Sequence, residues 1–153
     1  MPDIISLLNY EEGFSAKPYY CSAGYPTIGI GQRIGPKGAP LKLYEFTVSK
    51  SLAAIWLAEK VKETLADMDK YENIRAAMAA CNEPRQAILI SMAYQMGAGG
   101  LAKFTNTLKA ISEKRWSDAK SGMMNSAWAK QTPNRAKRHA QQMLTGEWSP
   151  EYK

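Results

Sequence analysis

The sequence predicts an α+β fold, with a small sheet-containing lobe near the N-terminus joined by a long helix to a helical lobe. Three observations carry that expectation. Residues 17–34 hold short aromatic and β-branched segments, "PYYC", "YPTIGIG" and "QRI", broken by glycines, which is the texture of a small meandering sheet. Residues 49–71, "SKSLAAIWLAEKVKETLADMDKY", carry apolar side chains at helical spacing with no internal breaker. Everything after them reads as helix. The expected organisation is a small α+β lobe at 14–48, a connecting helix at 49–70, and a helical lobe made of 1–13 and 71–153. Together they form one unit.

Taken in order, "DIISLLNYEEG" is a first helix. Asp3 caps it, Ile4, Ile5, Leu7 and Leu8 form its apolar side, and Gly13 stops it. Glu11 and Glu12 then stand at its C-terminal end. The helix dipole disfavours negative charge there, so a carboxylate costs a little unless something uses it or pairs with it. In the sheet, Pro26 suits an edge or a strand start. A five-residue hairpin loop from Ser22 to Pro26 would set Cys21 opposite Thr27. "GPKGAPLK" is a loop. The long helix has Ser49 as its cap, with Leu52, Ile55, Trp56, Leu65 and Met68 at helical spacings. Its ~20 residues would span about 30 Å, enough to link two lobes. "PRQAILISMAYQMG" starts at a proline and ends at a glycine. "TNTLKAISEKRW", "SDAKSGMMNSAWAK" and "TPNRAKRHAQQMLTG" follow as shorter helices, the last with Thr132 as N-cap and Pro133 at the first position.

Composition narrows the class. Apolar residues make up 45 % of the 153 and charged residues 22 %, ordinary values for a globular chain rather than a disordered one. No apolar run approaches the roughly 20 residues that cross a bilayer. The start "MPDIISLLNYEEGF" has neither a basic leader nor a small-residue cleavage site, so the expectation is folding in the cytosol that makes it. Cys21 and Cys81 are the two cysteines and His139 the one histidine, too few for a disulfide framework or a zinc site. Metal catalysis and a cofactor are therefore not expected. The net charge of +6 favours a polyanionic partner: nucleic acid, a membrane surface or an acidic wall polymer.

The chemistry gathers around "EEGFSAKPYYCSAGYPTIGIG". Glu12 ends a helix just before the sheet, and the hairpin brings a thiol, Cys21, and a hydroxyl, Thr27, toward the same mouth. Gly24, Gly29 and Gly31 leave room for a ligand to approach the backbone. Glycosidic cleavage needs a proton donor for the leaving oxygen and a second group that manages water or the developing cation. Glu12 fits the first task. Cys21 would fill the second as base or nucleophile once ionised, although an unperturbed thiol near pKa 8.5 is mostly protonated at neutral pH. Thr27 could orient the attacking water. Each residue also has a plain alternative: a solvated helix end, a small buried hydrophobe, an ordinary strand residue. "GIG" is not a phosphate loop, because no GxxxxGK[ST] follows.

Glutamate, eight residues, aspartate or cysteine, five residues, threonine is the signature of the phage-type lysozymes, family 24 of the glycoside hydrolases, and Glu12, Cys21 and Thr27 match it. "AYQMGAGGLAKFTNTL" (93–108), "KRW" (114–116) and "QTPNRAKR" (131–138) resemble helical-lobe segments of the same family, in the same order. The similarity covers nearly the whole chain except residues 33–48, which look shortened.

The resemblance implies a lysozyme-like fold and cleavage of the β-1,4 bond between N-acetylmuramic acid and N-acetylglucosamine in peptidoglycan. It makes Glu12 the general acid, Cys21 the base or stabilising group toward water, and Thr27 the residue that helps hold that water. Arg135 matches a family arginine near the catalytic glutamate, and pairing with it would compensate the unfavourable dipole position. Substrate contacts fall on Arg33, Tyr94, Gln95 and Thr107. Two positions depart: T-even members carry a histidine where Gln32 stands, and a sugar-contacting asparagine where Gly122 stands.

The leading expectation is thus an endolysin, monomeric and without cofactor, that acts on peptidoglycan rather than nucleic acid and does not insert stably in a membrane. It would accumulate in the host cytoplasm and reach the periplasm or wall through a separate membrane lesion. Rival readings are a lytic transglycosylase, in which Glu12 serves as both acid and base, a wall-binding protein without catalysis, and a nucleic-acid binder suggested by charge alone.

Overall fold

The computed structural model describes residues 1–153 and shows the expected α+β fold: a three-stranded antiparallel sheet near the N-terminus followed by helices. Helix α1 (Ile4–Glu12) opens the chain. Asp3 Oδ1 accepts the Ser6 N–H at 2.8 Å and Ser6 Oγ accepts the Asp3 N–H at 2.9 Å, a reciprocal cap of two otherwise orphaned donors. Gly13, at φ 66°, ends the helix.

Strands β1 (Ser15–Tyr20), β2 (Pro26–Gly29) and β3 (Gln32–Arg33) pair in that order. Pro26 sits at the start of β2. The register differs from the expected one: Tyr19, not Cys21, lies opposite Thr27, and Tyr20 lies opposite Pro26. The turn is the cause. Gly24 N–H donates to Cys21 O at 2.9 Å and Cys21 N–H to Tyr25 O at 3.0 Å, with Gly24 at φ 83°. The turn proper is therefore Ser22–Gly24, a three-residue loop closed by a left-handed glycine, not five residues. Cys21 and Thr27 become diagonal neighbours and stay on one face, because side chains alternate with period two.

Beyond the sheet, a short 3₁₀ turn at Leu41–Leu43 falls in the segment expected as loop. Helix α2 (Lys50–Met68) follows, and Ser49 Oγ accepts the Leu52 N–H at 3.2 Å as its cap. Its buried stripe is Ala53, Leu57, Val61, Thr64 and Met68, while Leu52, Ile55 and Leu65 are exposed. Of the five residues at helical spacing, Leu52, Ile55 and Leu65 thus face outward, Trp56 is half-buried and Met68 is buried. A Cβ built at Gly29 would lie 3.4 Å from Ala53 Cβ and 3.7 Å from Val48 Cγ2. The helix runs so close to β2 that an alanine fits the contact and a leucine would not.

The chain divides into two compact units, Leu8–Lys60 and Met1–Leu7 with Val61–Lys153, both divisions falling inside helices. In the first unit Leu8, Ile28, Ile30, Val48, Ala53 and Leu57 are buried. The second unit holds α3 (Glu72–Ala80), α4 (Glu83–Met96), α5 (Ala98–Ala102), α6 (Thr105–Ser112), α7 (Trp116–Met124), α8 (Ala127–Gln131) and α9 (Pro133–Thr145). Ile74, Ile88, Leu89, Met92, Leu101, Leu108, Ile111, Met123 and Met143 fill its core.

Helix α4 begins under an Asn82 cap that accepts the Arg85 N–H at 3.2 Å and stops at Gly97, φ 82°. The stretch "SDAKSGMMNSAWAK" is two helices rather than one. Ser126 Oγ accepts the Ala129 N–H at 3.1 Å and so restarts the chain as α8. Thr132 does not cap α9 with its side chain: its hydroxyl donates back to Trp128 O at 3.0 Å. Pro133 opens α9 and Gly146, φ 73°, closes it.

Candidate active site

In the Leu8–Lys60 unit, α1 and the sheet place four of the expected site residues: Glu12, Cys21, Thr27 and Arg33. Glu12 is the last residue of α1 and is half-buried. Its carboxyl packs over Gly31, where an added Cβ would sit 2.5 Å from Glu12 Oε2 and 2.8 Å from Cδ. Gly31 also has φ 68°, so the position needs glycine twice over, for backbone conformation and for space. This gives the second glycine of "GIG" a physical task. Gly31→Ala is expected to cost about 1–3 kcal/mol of strain and to displace the carboxyl. Since misplacement of about 1 Å can cost about 10²-fold in rate, wall clearing should fall by 10- to 100-fold in a variant that still unfolds cooperatively. A thermal melt beside a turbidity assay checks both.

Cys21 sits in the turn, half-buried. Partial burial pushes its thiol up, but hydrogen bonds from the N–H groups of Tyr25, Ala23 and Gly24 and from the Thr27 hydroxyl outweigh it, so the thiol lies below its ordinary value. A ring of backbone N–H groups of this kind is an anion cradle. Thr27 is buried, with Oγ1 donating to Tyr25 O at 2.8 Å. Arg33, exposed on β3, pairs with Thr27 across the ladder and lays its guanidinium over the Tyr25 ring, 3.6 Å from the centroid.

Sequence reasoning missed Tyr19. It stands opposite Thr27 on the face that also carries Cys21. Burial first, then the negative charges of Glu12 and Cys21, push its phenol above the ordinary value. A neutral hydroxyl thus stands within the field of both groups. Strand alternation was the available signal, since Tyr19 and Cys21 are two residues apart.

Tyr94, Gln95, Thr107 and Arg135 lie in the other unit. Tyr94 and Gln95 are half-buried near the end of α4. Gln95 Oε1 accepts the Trp128 Nε1–H at 2.8 Å, which fixes the amide with its NH₂ turned away from the indole. Trp128 is held edge-on to Phe104, with ring centroids 6.4 Å apart. Thr107 is buried on α6, and a Cβ added at Gly122 would collide with its Oγ1. Close approach of α6 and α7 thus leaves no room for an asparagine at 122 without movement.

Arg135 is buried on α9 and its Nη2 donates to Ser91 Oγ at 2.8 Å. Ser91 Oγ lies 2.7 Å from His139 Nε2, and His139 Nδ1 lies 3.2 Å from the Tyr152 hydroxyl. Burial first, then the charges of Arg135 and Arg138, hold His139 well below the usual histidine range. The imidazole is therefore neutral. Ser91 Oγ and the Tyr152 hydroxyl are thus the two hydrogen-bond partners of a neutral ring that donates from one nitrogen and accepts at the other. The one histidine of the chain is a buried connector that helps hold Arg135. Cys81 differs from Cys21: burial pushes it up to about 11, Arg85 opposing, so it is inert near neutral pH.

Residues 9–144 match the model of the family described as phage lysozyme. The chain is 33 % identical over 156 residues to the pre-baseplate central spike protein Gp5 of Enterobacteria phage T4, a match covering 92 % of this chain and 27 % of that protein. It is 32 % identical over 157 residues to probable T4-type lysozyme 2 of Dictyostelium discoideum, covering 92 % of each. It is 30 % identical over 132 residues to peptidoglycan hydrolase gp36 of Pseudomonas phage phiKMV, covering 86 % of this chain and 14 % of that protein. The chain thus spans about a quarter of the spike protein's length and nearly all of the Dictyostelium protein's.

Proposed function

Because this chain belongs to the phage lysozyme family, lysozyme-type glycoside hydrolases, we propose that it hydrolyses peptidoglycan at the β-1,4 bond between N-acetylmuramic acid and N-acetylglucosamine. The observation that carries the reading is the gathering of Glu12, Cys21 and Thr27 on one unit, with a thiol held in an N–H cradle. Glu12 delivers a proton to the oxygen that leaves as the bond breaks. Cys21, as thiolate, draws on the attacking water or stabilises the positive charge growing at the anomeric carbon. Thr27 helps hold that water. The family resemblance assigns glycan binding to Arg33, Tyr94, Gln95 and Thr107 and a supporting role to Arg135.

The net charge of +6 raises the concentration of the enzyme near an anionic wall. No helix is long and apolar enough to cross a membrane. The biological reading is an endolysin: a monomer, needing no cofactor and no nucleic acid, made in the host cytoplasm and passing to the wall through a lesion opened by another protein.

Digestion of purified peptidoglycan with analysis of the new chain ends tests the reaction. Reducing N-acetylmuramic acid ends are expected. Reducing N-acetylglucosamine ends would move the cleavage to the other linkage, 1,6-anhydro ends would make the enzyme a transglycosylase, and uncleaved glycan would leave only wall binding.

A further inference from the structure

We propose that Tyr25 is a positioning residue of this site, its carbonyl and its ring together holding Cys21, Thr27 and Arg33 in one arrangement. The inference rests on the role given above to Cys21, and four contacts carry it. The Tyr25 carbonyl oxygen accepts Cys21 N–H at 3.0 Å and the Thr27 hydroxyl at 2.8 Å, filling both its lone pairs. The Tyr25 N–H is among the three backbone donors around the Cys21 sulfur. Its ring carries the Arg33 guanidinium at 3.6 Å. Pro26 follows, and a residue before proline is confined to extended backbone, which aims the Tyr25 carbonyl back toward Cys21 and Thr27.

The Thr27 hydroxyl has one proton and two acceptors, Tyr25 O and the Cys21 sulfur. While Cys21 is a thiol, that proton goes to the carbonyl. Once Cys21 ionises, the thiolate is the stronger acceptor and the hydroxyl turns to it. Tyr25 O then keeps the Cys21 N–H, so the turn holds its shape as charge appears on sulfur. The Arg33–Tyr25 stack ties this turn to β3 and fixes the direction of the guanidinium. A planar cation held by an aromatic face keeps its N–H edge open for a ligand and loses less freedom on binding.

The titratable and charged groups on the surrounding elements are Glu12 on α1, Tyr19 on β1, Arg33 on β3 and Lys37, whose stem a Gly24 Cβ would touch at 3.6 Å. All remain in the two variants that test the idea. Tyr25→Ala removes the ring and Tyr25→Phe keeps it. The first readout is the pH midpoint of Cys21 alkylation by iodoacetamide, followed at that residue by mass spectrometry and without any substrate. The second is the split between kcat and KM on soluble peptidoglycan fragments, per mole of folded protein.

Tyr25→Ala should raise the midpoint by about half to one unit, lower kcat about tenfold and raise KM severalfold. Tyr25→Phe should stay within about twofold of the parent in each. A parent-like midpoint and parent-like kinetics in folded Tyr25→Ala would overturn the proposal, as would a Tyr25→Phe variant as impaired as Tyr25→Ala. Failure of the parent chain to cleave peptidoglycan would count against the function instead, because the alkylation midpoint reports on Tyr25 whether or not the wall is cut.

Discussion

Glu12→Gln is expected to abolish wall clearing, with a loss of about 10²–10⁴-fold, while the protein keeps its fold. The substitution conserves the size of the side chain, so its place over Gly31 can be kept. It removes the one thing the departing sugar oxygen needs, a proton that can be given up. Cleavage without it relies on water as the acid. Glu11→Gln is the matched control: the neighbouring carboxyl on the same helix end has no task in the scheme, and that variant should clear walls within about twofold of the parent. Turbidity of a purified wall suspension, read beside a far-UV spectrum and a thermal melt, separates the effects. Clearing by Glu12→Gln at the parent rate would end the assignment of this residue as the acid.

The elements of the fold were legible where local chemistry decides them. Asp3 and Ser49 make the caps expected of them, Thr132 does not, and Gly13, Gly97 and Gly146 stop the helices they follow. The spacing along α2 gives the helix but not which of its side chains are buried. Ala53 is buried and Ile55 exposed, since the neighbouring backbone at Gly29 comes within alanine distance, and only the tertiary contact reveals that. The glycine-rich α5, "AGGLA", has poor intrinsic propensity and forms with Leu101 and Ala98 buried beneath it. At the site, the motif named Glu12, Cys21 and Thr27 but gave a pairing two residues out. "SAG" held the answer, because a glycine at the third position of the turn favours the three-residue loop. The supporting contacts were not legible at all. Nothing in the sequence says that the Gly31 backbone lies beneath a carboxyl, or that one tyrosine carbonyl serves both Cys21 and Thr27.

Cys21→Ser and Cys21→Asp should part company, and pH should show why. In the proposed chemistry the useful form of Cys21 is the thiolate. The cradle of N–H groups and the Thr27 hydroxyl hold the thiol below its ordinary value, so the thiolate fraction grows as pH rises toward and through that lowered value. As pH falls below it, the thiolate fraction drops by about tenfold per unit, while Glu12 has to carry its proton to act, so the rate follows the product of the two fractions. A serine hydroxyl does not ionise in this range. Cys21→Ser should therefore lose about 10²–10³-fold in rate and show no rise with pH from this position. An aspartate in the same cradle is ionised from about pH 4 upward, so Cys21→Asp should retain clearing and lose the part of the pH dependence that the thiol imposes. Rate against pH for the three proteins on one wall preparation makes the comparison. If Cys21→Ser works within a few-fold of the parent and keeps the same pH profile, the sulfur is only packing in the turn. The water would then have to be managed by Glu12 and Thr27 without it.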